Sequence, residues 1–221
     1  MKSKISVKSI AAIGMFAAMS FVAVLCGKVI PNVANFLSYD PKDAVVAIAG
    51  FMFGPVAAVL IPIVVALVEM VSISTTGPIG CLMNILSTVS FALPAALVYR
   101  KHKSYQGALL GLGSGICFMT VCMLLWNYLV TPLYMEVPRS VVVDMLLPVF
   151  LPFNAIKGGL NAALTLLLYK PLVLALRRAK LVPPSRSSEQ QSPARFSFLW
   201  IALALLAVFT VLFLFLIEVI K

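Results

Sequence analysis

Three polar residues interrupt otherwise apolar stretches in the second half of the chain: Asn127 in Trp126-Asn127-Tyr128, Asn154 in Pro152-Phe153-Asn154, and Lys157. A lysine in the middle of a membrane helix is costly, about 2.5–3.5 kcal/mol on insertion scales, and as a rule it faces the protein interior. Lys157 follows Pro152 by roughly 8 Å of helix axis at about 1.5 Å per residue. That is deep for a lysine that merely reaches outward to water. Asn154 and Lys157 are i and i+3, so they share a helix face. Such a pair reads either as a ligand pocket, with donors and acceptors on an apolar wall, or as hydrogen bonding between helices. The shared face favours the pocket for the pair, whereas Asn127 alone reads more simply as an interhelical bond. Glu69, also within an apolar run, is a proton relay, a partner for a buried base, or a residue near a helix end. Asn84 is expected to be a structural hydrogen-bond donor.

The sequence contains no catalytic set. There is no G-x-x-x-x-G-K-[ST] phosphate loop and no H-E-x-x-H pair. The single histidine, His102, stands in a basic loop, which excludes a His-based triad and a histidine metal site. Cys26, Cys81, Cys117 and Cys122 lie in apolar segments without C-x-x-C spacing, so neither a disulfide framework nor a zinc site is expected. They read as small buried hydrophobes. No enzyme and no resident cofactor are expected.

The elements that hold these residues follow from composition. Of 221 residues, 62% are hydrophobic and 11% charged, against about 45–50% and about 25% in soluble domains. Several apolar stretches reach the roughly 20 residues that cross a bilayer as a helix. Backbone groups in lipid must bond internally, and nothing alternates like a barrel strand, so an all-α, polytopic membrane bundle is expected. Helices are predicted over 9–30, over 44–73 as a short and a long helix broken at Gly54-Pro55, and over 79–99. Two more follow over 105–130 and from Pro148 or Pro152 to 177, with a loop at 131–139. These form a six-helix domain over 1–180. A Pro-, Ser- and Gln-rich flexible linker over 181–195 leads to a seventh apolar span over 196–221.

The formal charge of +10 is distributed as topology requires and does not point to nucleic acid. Lys2, Lys4, Lys8, then Arg100, Lys101, Lys103, then Lys170, Arg177, Arg178 and Lys180 fall on one side. Lys28, Lys42 and Arg139 fall on the other, among Asp40, Asp43, Glu136 and Asp144. The bias puts the first side, with the N-terminus, in the cytoplasm. Gly107, Gly111 and Gly115 recur every four residues, as do Gly14 and Ala18, the spacing that lets helices approach closely. Packing within the protein and docking onto a partner both fit that spacing.

The segments Phe36-Leu-Ser-Tyr-Asp-Pro-Lys-Asp-Ala44, Phe53-Gly-Pro55, Trp126-Asn-Tyr128 and Leu151-Pro-Phe-Asn-Ala-Ile-Lys-Gly158 together resemble the riboflavin-specific substrate-binding (S) component of energy-coupling factor (ECF) vitamin transporters. Their order and spacing match over about residues 9–180. The resemblance implies a six-helix fold in the cell membrane with both ends of that fold in the cytoplasm. It also implies a riboflavin site near the outer face, roofed by the loop after the first helix. Carried over residue by residue, Asn127, Asn154 and Lys157 would hold the flavin ring, and Leu37, Tyr39 and Asp40 would come from the covering loop. A Lys and an Asn amide can answer the carbonyls and imide N–H of an isoalloxazine edge. The expected partners are a membrane-embedded T subunit and two cytoplasmic ATPase subunits. The family's small-residue docking patch on the first helix is matched here only in generic form, by Gly14 and Ala18. The seventh span departs from the six-helix pattern and would put the end of the chain outside. Other readings are a self-sufficient ion-coupled carrier using Glu69, and an S component for another vitamin.

Overall fold

The computed structural model describes residues 7–34, 36–179 and 194–220, and the side chains among them except those of 7–9 and 194–198. Its elements are α1 (Val7–Gly27), α2 (Lys42–Phe53), α3 (Pro55–Ser72), α4 (Gly77–Lys101), α5 (Tyr105–Met135), α6 (Arg139–Met145), a π-helical turn (Leu146–Phe150), α7 (Leu151–Arg178) and α8 (Ala194–Val219). The one feature of β type among the described residues is an isolated bridge between Val33 and Leu37. Among the described residues, six segments are long and apolar enough to cross a membrane, with α6, the π turn and α7 counted as one; α2, at 12 residues, is not among them. The all-α membrane bundle, with six core helices and a seventh after them, is the architecture read from the sequence.

α2 is short because Gly54, at φ 92°, turns the chain in a conformation that suits glycine, and Pro55 then starts α3. Lys42 through Gly50 are all buried, because α2 fills the centre of the bundle against α1, α3, α4 and α7. Small residues allow this. A Cβ added at Gly50 would lie 3.1 Å from both the Ala58 and Ala96 Cβ atoms.

The glycine stripe on α5 packs inside the protein. A Cβ at Gly115 would lie 2.4 Å from the Phe91 carbonyl oxygen, and one at Gly111 would lie 2.7 Å from that of Ala95. α1 divides differently. Ala12, Phe16, Ser20 and Val24 are buried, while Gly14 and Ala18 are exposed, and nothing lies within 4 Å of a Cβ built at Gly14.

Several boundaries differ from the sequence reading. The loop expected at 131–139 shrinks to 136–138, because α5 carries Pro132 within it and ends at Met135, with Glu136 left-handed at φ 54°. The next helix starts at Arg139, before the prolines expected to open it. Pro148 and Pro152 lack the N–H groups of an unbroken α-helix, and the chain answers with a π turn in which the Leu151 N–H donates to the Leu146 carbonyl. Such turns recur at functional sites. α1 stops at Gly27, not residue 30. Of the linker expected over 181–195, residues 181–193 lie outside the described residues, as do Lys2, Lys4 and Lys180.

Candidate functional site

The segment between α1 and α2 folds back over the end of the bundle. Val33 and Leu37 each donate an N–H to the other's carbonyl at 2.9 Å, and Phe36 meets Phe150 edge to face at 6.0 Å. Beneath this segment lies a cavity of about 390 Å³, within the about 300–1,000 Å³ usual for small-molecule sites. All six residues that the resemblance assigns to the vitamin site line it: Leu37, Tyr39 and Asp40 from the covering segment, Asn127 from α5, and Asn154 and Lys157 from α7. α3 and α4 contribute Glu69, Asn84 and Ser87, and Phe153, Met70 and Met123 supply apolar wall.

The polar side chains from α5 and α7 are held in place. The Asn127 amide donates to the Met123 carbonyl at 2.7 Å and its oxygen accepts from the Thr131 hydroxyl at 2.8 Å. The Asn154 amide donates to the Phe150 carbonyl at 2.8 Å, across the junction with the π turn. Lys157 is 7% exposed; its ammonium donates to Ser87 Oγ at 3.1 Å and stands 3.5 Å from the Asp43 carboxylate. The Thr88 hydroxyl donates to the other Asp43 oxygen at 2.6 Å. An ammonium has three N–H groups, so Lys157 keeps donor capacity for a ligand.

The sequence reading did not single out Lys42, Asp43 and Asn161 as site-forming. Lys42 and Asp43 are fully buried and are not among the residues that line the cavity. The Lys42 ammonium donates to the Asp40 carboxylate and to the Asn84 side-chain amide oxygen, and lies 3.9 Å from Glu69. Glu69 accepts from the Asn84 amide at 2.5 Å, so it is the partner of a buried base, and Asn84 is the structural donor expected. Asn161 fastens the covering segment to α7. Its amide donates to the Asp40 carbonyl at 3.1 Å, and its oxygen accepts from the Tyr39 hydroxyl at 3.4 Å.

Burial alone would raise the Asp40 carboxyl, but the Lys42 and Lys157 ammoniums outweigh it and hold the group below its usual range. Burial first, then the Asp43 and Asp40 charges, push the Tyr39 phenol far up. Asp40 is therefore an anion and Tyr39 a neutral hydrogen-bonding group at physiological pH. The charged residues that line the cavity are matched in number, Asp40 and Glu69 by Lys157 and, at the rim, Lys28. A cavity so balanced suits a neutral polar ligand better than an ion.

The model of the family described as "ECF transporter, substrate-specific component" matches residues 8–169. The chain is 30% identical to the riboflavin transporter RibU of Staphylococcus aureus (strain TCH60) over 178 residues, 77% of this chain and 93% of that protein. It is 28% identical to the riboflavin transporter FmnP of Bacillus subtilis (strain 168) over 161 residues, 69% of this chain and 85% of that one. A solved structure of the S component of a bacterial ECF transporter superposes with a TM-score of 0.65 at 31% identity, covering 77% of this chain and 98% of the other.

Proposed function

The chain belongs to the family of ECF transporter substrate-specific components, and we propose that it is the riboflavin-binding membrane subunit of an ATP-driven importer. The observation that carries this reading is the convergence of Asn127, Asn154 and Lys157, from two helices, on one cavity roofed by Leu37, Tyr39 and Asp40. Lys157 would donate to a ring carbonyl and the Asn154 amide would meet the imide edge, while Phe153 and the methionines take the ring faces. The two relatives named as riboflavin transporters support the choice of vitamin.

Energy comes from partners in this reading: a membrane T subunit and two cytoplasmic ATPases. Glu69 is engaged with Lys42 and Asn84, which argues against its use as a free coupling group. The exposed small residues of α1, Gly14 and Ala18, are where a partner helix approaches closely. Because they face outward, Gly14→Leu or Ala18→Leu leaves riboflavin binding intact and blocks uptake in cells carrying the complex. Loss of binding together with uptake would show that this face serves folding. Vesicles containing this chain alone bind riboflavin but do not concentrate it; ion-driven accumulation without an ATPase would overturn the importer reading.

The N-terminus and the Arg100–Lys103 segment face the cytoplasm, and the cavity faces outward, by the distribution of basic residues. A His102→Cys variant, in a background free of the four native cysteines, stays unlabelled by an impermeant thiol reagent in intact cells. Labelling there would invert the orientation.

A further inference from the structure

The helix that the family does not account for touches the roof of the cavity. α8 lies beyond the residues matched by the family model, yet it runs along α7 and ends beside the covering segment, where the Ala34 N–H donates to the Ile220 carbonyl at 3.2 Å. Phe213 packs against Tyr39 with ring centroids 5.6 Å apart. Phe209 fills the space where a side chain at position 159 would be; a Cβ there would come within 2.3 Å of its ring. Phe213 and Leu216 are 4% and 7% exposed, and form one apolar cluster with Val33, Tyr39, Phe153 and Ile156. Tyr39 and Phe153 are thus shared: each lines the cavity on one side and packs into the cluster with α8 on the other.

We propose that α8 braces the covering segment: Phe213, Leu216 and the Ala34–Ile220 hydrogen bond hold Tyr39 over the cavity, so a bound ligand leaves only when the segment separates from α8. The consequence for riboflavin rests on the function proposed above; the brace itself does not. Among its described residues the segment carries little regular structure of its own, one bridge and a few turns. Besides the Phe36–Phe150 contact and the Asp40–Lys42 pair, it is held by Asn161 on one side and α8 on the other. Phe209, Phe213 and Leu216 are positioning residues, since none of them lines the cavity.

Two readouts on the full chain test this. Without ligand, Phe213→Ala speeds amide hydrogen exchange over residues 31–40, and Leu216→Ala does so less. With riboflavin bound, Phe213→Ala speeds release roughly tenfold, since an aromatic pair and its buried area are lost, and Phe213→Leu recovers part of the difference. Leu214→Ala, on a side chain 58% exposed on the same helix, changes neither rate. Exchange over 31–40 that is unchanged in both Phe213→Ala and Leu216→Ala, or changed equally in Leu214→Ala, overturns the brace. If the unsubstituted protein binds no riboflavin, the proposed function fails, while the exchange comparison still decides the brace.

Discussion

Replacing Lys157 with alanine is expected to weaken riboflavin binding by roughly 10- to 150-fold, the equivalent of the about 1.5–3 kcal/mol in one hydrogen bond to a charged group. The lysine is placed for this by the backbone before it. The π turn at Leu146–Phe150 and the Asn154 bond to Phe150 set the rotation of α7, which aims Asn154 and Lys157 at the same cavity. The substitution has a second effect. Asp43, fully buried, keeps its bond from Thr88 but loses the cation at 3.5 Å, and breaking a buried pair costs about 3–5 kcal/mol. The two effects separate in a double variant. Asp43→Asn with Lys157→Met restores much of the stability, because no charge is stranded, and does not restore binding. Recovery of both would mean that Lys157 serves only to neutralise Asp43.

A loss of stability of the same order is expected at Lys42. Its side chain is fully buried and is shared among Asp40, Asn84 and Glu69, joining the covering segment to α3 and α4. Lys42→Met leaves two carboxylates facing each other without the cation between them. A penalty of about 3–5 kcal/mol corresponds to a fall in melting temperature of about 6–20 °C for a chain of this size. Thermal unfolding of the purified protein in detergent measures it. Lys28→Met, at an exposed position on the cavity rim, is the comparison and should melt close to the unsubstituted protein. A Lys42→Met protein that melts within a degree or two of it would show that the cluster is dispensable.

The fold was largely legible because span length and Gly54-Pro55 are each dictated by the bilayer or the backbone. Boundaries at Pro132, Pro148 and Pro152 were not. Proline ends most helices in water, but in a membrane bundle the freed carbonyls are re-satisfied locally and the helix continues. At the site, Asn154 and Lys157 stood out as polar residues in an apolar run. Asn161, at i+7 from Asn154 on the same stripe, carried the same signal and was readable. Lys42 and Asp43 were not, because Asp-Pro-Lys-Asp ahead of an apolar run has the composition of a solvated loop. Only the fold buries them, by pairing them with Glu69, Asn84 and Lys157, residues distant in sequence. The contact of α8 with Tyr39 was equally invisible, since nothing in a uniformly apolar helix says which neighbour it will choose.

This chain by itself is expected to hold the vitamin. Titration of the purified protein with riboflavin, without ATP or any partner subunit, measures that directly. The expected result is saturable binding at one site per chain, weakened in Asn154→Ala and more so in Lys157→Ala. No saturable binding by the unsubstituted protein, or affinity unchanged in both variants, would contradict it.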